Sequence, residues 1–471
     1  LLIEVGPHQG AIDRLVDWGV EGAKATFGSG ATGVWSTGGA EFRTLQLTDG
    51  PLLVSGAIGG LQVLSNSRGF VRELQAVAAG QLPSLAQATQ LGVLRDQLPA
   101  RALASCYVNT TPFVAMLQPM LPYEASDFAA ALGFGEVTAL WAATSVGEQG
   151  NCDVMHLGIG GSEQGLAKAL LAKPVELSFA AACSPNTVVF GAGSLDVPGV
   201  VDAMHRFAAL LPASAREEMM RDMGSGLRRA LREVGTSTEA VDGLLRALDA
   251  QVGFAVALEK GPVPKPELLL RLGVRDQDRL VPWLQRLEAA VADATGQAWQ
   301  TRKVDAHDVR FVNLPLPEVK LQLSPCYVVA KDALWFGSDV AALVRALRQG
   351  GPDTESLASQ DDFVALAARA DGASGVLHLR WNRAIEIGWR SVESLVYPQL
   401  DARRDELGFG SEALPDAESL AAALGTSTTI YRVDARGFTL EQHGAMTAGA
   451  GLAAFGMLAD EVLRRASGKV F

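Results

Sequence analysis

The chain has only four cysteines, Cys106, Cys152, Cys183 and Cys326, and no two of them form a Cys-x-x-Cys pair. On that spacing neither a zinc site nor a dithiol redox motif is expected. Positive charge is also short: 40 Lys and Arg stand against 52 Asp and Glu, a net charge of -12. With no run of basic residues, a nucleic-acid-binding face is excluded. No stretch of about 20 apolar residues is free of charge, which excludes a transmembrane helix. Ala448–Leu458 is apolar and glycine-rich but too short to span. Among the six histidines (His8, His156, His205, His307, His378 and His443) none has His-x-x-x-His spacing, so a helical zinc pair is not expected. The first residue is Leu1 rather than Met. The expectation is that a leader, either signal peptide or anchor, precedes it.

What the sequence does contain is one unit written twice. Leu1–Gly6 answers to Leu268–Gly273, and Asp13–Trp18 to Asp278–Trp283. Trp35 takes the place of Trp299, and Glu41–Arg43 that of Asp308–Arg310. Val71–Leu74, Leu103–Asn109 and Leu132–Gly133 answer in order to Val344–Leu347, Val376–Asn382 and Leu424–Gly425. A repeat constrains the fold before any motif does. The units are expected to be 1–176 and 177–471, the second with a helical insertion at about 215–251. The stretch 177–267 has no counterpart before Leu1, so about one strand–helix–strand unit is expected upstream.

Hydrophobic periodicity supplies the elements. The second unit reads as a strand at Thr187–Gly191, a helix at Pro198–Leu211, a strand at Phe254–Leu258, a strand at Leu268–Leu272 and a helix at Gln277–Ala292. Strands follow at Ala298–Val304, Val309–Leu314, Cys326–Ala330 and Ala333–Gly337, with helices at Val340–Leu347 and Asp361–Ala370. Gly375–Trp381 reads as a strand and Arg383–Leu407 as a helical arm. Thr428–Val433 and Phe438–Gln442 close the unit as strands. Frequent hairpin-like pairs among helices predict an α+β fold. Its sheets should be mostly antiparallel, with helices packed on one face and a pseudo-twofold relation between the units. Even cysteine numbers permit two disulfides, Cys106–Cys152 and Cys183–Cys326; buried free thiols are the alternative.

The most prominent motif is Met155–Gly165, followed by the apolar Leu166–Leu171. A glycine loop between strand and helix presents backbone N–H groups to a phosphate. Gly158–Ser162 resembles the sugar-phosphate loop of glucose-6-phosphate isomerases, over about fifteen residues and nowhere else. The matching place in the second unit, Glu441–Gly449, is a different glycine-containing loop, so a linker is the favoured reading. His307, with Asp305, Asp308 and Ser324 near it in sequence, suggests a Ser-His-Asp set. The first unit keeps only an acid there, Glu41, and a hairpin-turn histidine is favoured. Trp35 with Trp299, and Trp18 with Trp283, read first as core or interdomain packing. Arg43 and Arg310 read as strand-surface arginines, with pairing to a carboxylate or reach into a groove as the alternatives. Asp361–Asp362, Asp401–Glu406 and Glu217–Glu218 read as solvated or helix-capping charge.

Leu334–Ser338 leading into a helix, then Ser356–Ala358 with Phe363, then Leu414–Pro415 with Ala423–Ser427, are characteristic runs. With the ordered strand and helix patterns they resemble an uncharacterised bacterial family carrying a duplicated domain of unknown function, often exported or membrane-anchored. The resemblance implies no activity and carries no functional residues; it implies an envelope, extracytoplasmic (periplasmic) location. The expectation is a non-enzymatic structural or protein-binding component, with no cofactor, metal or nucleic acid. Protein partners or self-association are expected, with a membrane link only through an upstream segment. The alternative is a module binding a lipid or small hydrophobe between sheet and helices, which a contiguous cavity would favour. A sugar-phosphate enzyme using Gly158–Gly165 is the third reading.

Overall fold

A computed structural model describes residues 2–4, 9–28, 30–48, 50–84, 87, 102, 104–117, 137–147, 150–159, 173–196, 198–199, 238–261, 264–316, 321–330, 332–348, 355–408, 410–434 and 437–445. The chain divides into two compact units, Leu1–Gln97 and Leu98–Phe471.

The first unit runs β1 (Leu2–Glu4), α1 (Gln9–Phe27), β2 (Ala31–Thr37), β3 (Ala40–Gln46), β4 (Leu52–Ile58), β5 (Leu61–Ser65) and α2 (Arg68–Ala78). Its five strands lie in the order β1-β5-β4-β3-β2, all antiparallel. The β4–β5 turn is Gly59-Gly60, both with positive φ (55° and 84°). Two-residue hairpin turns that follow the strand twist need that backbone region at both positions, so glycine fits there. Ser67 caps α2, its side chain accepting from the Phe70 N–H, which satisfies one orphan donor of the first turn. Phe42, Val54, Val63 and Val71 are buried between the sheet and α2, with Trp35 against them.

The second unit opens with β6 (Ala104–Asn109), α3 (Thr111–Leu117), β7 (Val137–Gly147), β8 (Gly150–Ile159) and a 3-10 turn at Leu177–Ala182. It continues with β9 (Thr187–Ser194), α4 (Thr238–Ala247), β10 (Leu248–Glu259), β11 (Lys265–Val274), α5 (Gln277–Thr295), β12 (Gln300–Val304) and β13 (His307–Phe311). The hairpin β14 (Leu314–Leu316) and β15 (Leu321–Leu323) precedes β16 (Cys326–Val329), β17 (Ala333–Gly337), α6 (Val340–Arg348) and α7 (Asp361–Arg369). Last come β18 (Gly375–Arg380), α8 (Trp381–Leu395), α9 (Tyr397–Ala402), α10 (Arg404–Leu407), α11 (Ala417–Leu424), β19 (Thr426–Asp434) and β20 (Gly437–Gly444). Thirteen strands form one sheet in the order β12-β13-β16-β17-β11-β10-β9-β18-β19-β20-β8-β7-β6.

Pairing is antiparallel throughout the described residues. The fold is therefore α+β. Helices pack on both faces of the thirteen-stranded sheet rather than on the expected one. Alternate side chains of a strand point to opposite faces. Along β16, Tyr327 packs with Leu280 and Leu284 of α5, while its neighbours Cys326 and Val328 pack with Leu343 of α6 and Phe363 of α7.

Several boundaries differ from the sequence reading. The insertion was expected to be helical to Gln251, but the strand β10 already begins at Leu248; residues 215–237 lie outside the described residues. Apolar periodicity does not separate helix from strand at this point, because Leu248, Ala250 and Gln251 are all buried where β10 lies between β9 and β11. The strand expected over Val309–Leu314 is two elements, β13 and β14. The helical arm is broken into α8, α9 and α10 at Val396 and Arg403. The expected helix Pro198–Leu211 falls almost wholly outside the described residues. The repeat boundary at 176/177 lies inside the second compact unit, since β6–β8 join the same sheet as β9–β20. A repeat is defined by sequence and a compact unit by packing, so the two divisions differ.

Candidate ligand-binding cleft

The first unit holds an open cleft of about 780 Å3 between α1 and the sheet face opposite α2. From α1 come Val16, Val20 and Lys24 at four-residue intervals, with Asp17 and Glu21 beside them. From the strands come Thr32, Gly33, Val34, Arg43, Thr44, Leu45, Leu53, Ser55 and Leu64. The walls are thus apolar, with hydroxyls among them and charge at the edge. That volume lies in the range of small-molecule sites, about 300–1,000 Å3. Lys24 pairs with Glu21 at 2.6 Å. Arg43 faces Asp17 at 3.6 Å with its side chain 82% exposed, a contact that contributes little by itself.

The layer between α5 and the second unit's sheet is filled, with Leu280, Leu284, Tyr327 and Leu334 buried in it. Strand register aligns the two on their arginines. Arg43 pairs across with Ser55 and Ser55 with Leu64; Arg310 pairs with Tyr327 and Tyr327 with Phe336. Ser55 and Leu64 are thus the cross-strand neighbours in line with Arg43, as Tyr327 and Phe336 are with Arg310. Tyr327 lies 5.4 Å from Trp299 and 5.9 Å from Phe336, ring to ring, and its hydroxyl donates to Glu288. On the helix, the Asp13–Trp18 match to Asp278–Trp283 continues to Gly19 at the buried Leu284 and Ala23 at Glu288. Gly19, Ala23, Ser55 and Leu64 are smaller than Leu284, Glu288, Tyr327 and Phe336, which fill the layer under α5.

Electrostatics differ in the same way. Arg310 Nε donates to Glu288 Oε1 at 2.6 Å. Burial raises the Glu288 carboxyl, but the Arg310 and Tyr327 hydrogen bonds outweigh it and hold the group below its ordinary value. The same buried pairing pushes Tyr327 up, through burial first and the Glu288 contact second. Arg43 has no such closed network and stays in solvent at the cleft.

The residues singled out from sequence are placed as follows. Gly158 and Ile159 end β8, and Met155–Leu157 are strand, not loop; 160–165 lie outside the described residues. Glu441–Gly444 are likewise strand. His307 opens β13 at a hairpin, Asp305 pairs with Arg348 at 3.1 Å and Ser324 donates to Asn313 at 2.9 Å, so the three do not form a triad. His8, His205 and Glu217–Glu218 lie outside the described residues.

His378 is buried, its Nδ1 2.9 Å from Thr428 Oγ1. Asp362 is not simply solvated: it takes Arg380 Nε at 2.6 Å, while Arg380 also donates to the Pro185 and Thr187 carbonyls. Arg310 is likewise paired rather than a free surface group. Trp35 and Trp299 are both core-packed, Trp35 on the α2 side of its sheet and Trp299 on the α5 side of its own. Trp283 packs in the α5 layer, whereas Trp18 is 77% exposed.

All four cysteines are free thiols, the alternative to the two disulfides that their even number permits. Cys106 and Cys152 lie on β6 and β8 with β7 between them. Two interstrand spacings of about 4.8 Å exceed disulfide reach. Cys183 and Cys326 are buried and donate instead to the carbonyls of Phe179 and Gly337.

Among the described residues no helix is long and apolar enough to cross a membrane. No protein-family model, curated protein or solved structure matches the chain. The cleft itself escaped sequence reading because no motif marks it. Its only signal is loss of side-chain volume between two aligned segments.

Proposed function

We propose that the chain is a non-enzymatic binding protein whose first unit holds a small amphipathic molecule in the α1 cleft. The observation carrying this reading is the 780 Å3 cleft at the place where the second unit has a packed layer. An apolar body suits Val16, Val20, Leu45, Leu53 and Leu64, and a polar head suits Arg43, Lys24 and the hydroxyls. This favours the small-hydrophobe alternative over a purely structural role.

The reading rests on a tandem duplication, which three observations support. The order β1-β5-β4-β3-β2 repeats as β11-β17-β16-β13-β12, with α1 and α5 each following the first strand of the order in the chain and α2 and α6 each following the second, β5 and β17. The run β6-β7-β8 repeats as β18-β19-β20. Matching the hairpin ends Gly147/Gly150 and Asp434/Gly437 makes Cys152, Val154 and His156 the counterparts of Thr439, Glu441 and His443. In the sheet Cys152 pairs with His443, Val154 with Glu441 and His156 with Thr439, so β8 meets its own counterpart about a local twofold. The bacterial-envelope location remains a proposal supported by the family resemblance alone.

A second reading, docking of a protein partner or a second copy, is favoured by Trp18 and Val34, 77% and 70% exposed on α1 and β2. Native mass spectrometry of the full chain from its source, with solvent extraction, separates the two. A stoichiometric small molecule that is lost in Ser55→Tyr supports the cleft. A ligand-free chain accompanied by a stoichiometric protein sinks it in favour of docking.

A further inference from the structure

The seam between β8 and β20 gathers three side chains of metal-ligating type on one sheet face. Cys152 lies directly across from His443, and Glu441 is two residues before His443 on the same strand, hence on the same face. Cys152 Sγ is 4.0 Å from His443 Nε2, and that nitrogen is 2.6 Å from Glu441 Oε1. One ligand atom from each residue lies within 4.8 Å of the others. The geometry points to a zinc-type site at this seam, held by the Cys152 thiolate, the His443 imidazole and the Glu441 carboxylate.

Zinc takes sulfur at about 2.3 Å and nitrogen or oxygen at about 2.0–2.2 Å, four ligands in a tetrahedron. Tetrahedral ligands at those lengths stand about 3.3–3.6 Å apart. The two measured separations, 2.6 and 4.0 Å, bracket that spacing. An ion entering between them replaces the imidazole–carboxylate hydrogen bond and draws the thiolate in by a few tenths of an ångström. The thiol proton leaves to solvent as the metal–sulfur bond forms. Three protein donors leave the fourth position to water.

Two further features suit an ion. Arg432 Nη1 donates to the other carboxylate oxygen, Glu441 Oε2, at 2.8 Å, and so orients Oε1 toward His443. Partners of this kind fix metal-bound carboxylates and imidazoles. The ligands also sit on adjacent strands inside a thirteen-stranded sheet, so the separations are set by the ladder rather than by loops. Neither a surface ion pair nor a lone thiol explains why cysteine faces a histidine–glutamate pair across the seam. At the counterpart place His156 faces Thr439, Nδ1 to Oγ1 at 2.8 Å, a pair without a thiol or a carboxylate. The inference is independent of the cleft.

The test is cobalt(II) titration of the full chain, followed by zinc(II) displacement. The expected result is one cobalt per chain with a near-ultraviolet thiolate-to-cobalt charge-transfer band and tetrahedral visible bands, both removed by one equivalent of zinc. The band should vanish in Cys152→Ser, persist in Cys106→Ser, and need about 10–100-fold more metal in Arg432→Gln. Circular dichroism checks that Cys152→Ser folds. A readout without any variant is peptide mapping after alkylation, in which zinc should protect Cys152 and leave Cys106 reactive. Absence of a charge-transfer band, a band retained in Cys152→Ser, or equal alkylation of Cys152 with and without zinc overturns the site.

Discussion

Replacing Tyr327 by serine should carve into the second unit the space that the first unit already has. The side chain is 5% exposed, contacts Trp299 and Phe336, and donates to Glu288. Truncating a buried aromatic costs about 3–5 kcal/mol. Losing a hydrogen bond to a charged acceptor adds about 1.5–3 kcal/mol, less here because Arg310 still holds Glu288. A loss of about 4–6 kcal/mol is expected, against a typical domain stability of about 5–15 kcal/mol. Urea unfolding followed by tryptophan fluorescence reads it directly, since Trp283 and Trp299 lie in the affected layer. The reciprocal change, Ser55→Tyr, adds bulk to an open cleft and should leave the urea midpoint of the first unit nearly unchanged. A Tyr327→Ser loss under about 1 kcal/mol would mean the α5 layer is not tightly packed. The contrast that defines the cleft would then have no energetic content.

Asp362 gives a pH dependence. Burial raises its carboxyl, but His378 and Arg380 outweigh that and hold it at about 2. The His378 contact is 3.6 Å, too long for a good hydrogen bond, so the 2.6 Å Arg380 pairing dominates. The folded value lies below the unfolded one, about 3.9. The contribution is therefore complete above about pH 4 and is lost as pH falls toward 2, about 1–2 kcal/mol after allowing for partial solvation. Urea midpoints across that range should flatten in Asp362→Asn; an unchanged slope refutes the assignment.

Thiol labelling at neutral pH without metal should find Cys106 first, because it is exposed, while burial raises Cys183 beyond reach and Cys326 to about 12. Labelling of Cys183 or Cys326 at the rate of Cys106 before unfolding contradicts their burial. Gly375→Ala should destabilise the second unit by about 1–3 kcal/mol, since an added Cβ would meet the Tyr431 ring at 2.1 Å. Pairing it with Tyr431→Leu should recover part of the loss in the same melt; full additivity would rule out the steric account.

Local signals carried much of the fold. The α5 boundaries follow from Asp276, whose carboxylate accepts from the Arg279 N–H, and from Gly296 in the left-handed region at φ 69°, both readable as helix start and stop. The hairpin β16–β17 was legible from two short apolar runs around a polar turn. Register is what local matches leave open. A local Thr-Gly match put Trp35 on Trp299, yet a one-residue slip sends a strand side chain to the other face. In the structure Trp35 opposes Phe42 under α2, and Trp299 meets Tyr327 under α5. Arg43 and Arg310 each stand three residues into the second strand of a hairpin. The cleft was not legible, because absent volume leaves no motif, and the β8–β20 seam was not, because periodicity says nothing about partners so distant in sequence.

That seam also sets a timetable for synthesis. Cys152 and His443 are 291 residues apart in the chain, yet they face each other in adjacent strands. At roughly 5–20 residues per second, the ribosome makes His443 roughly 15–60 s after Cys152. For that interval the β7–β8 hairpin is complete while its neighbour does not exist, and β8 presents an open ladder of N–H and C=O groups, which recruits other strands. Val154 and Leu157 on that edge make it more adhesive, and Asp153 less so. A nascent chain of this protein is therefore most vulnerable to pairing with the wrong molecule between the synthesis of Cys152 and that of His443, and a chain truncated before β20 never loses that edge.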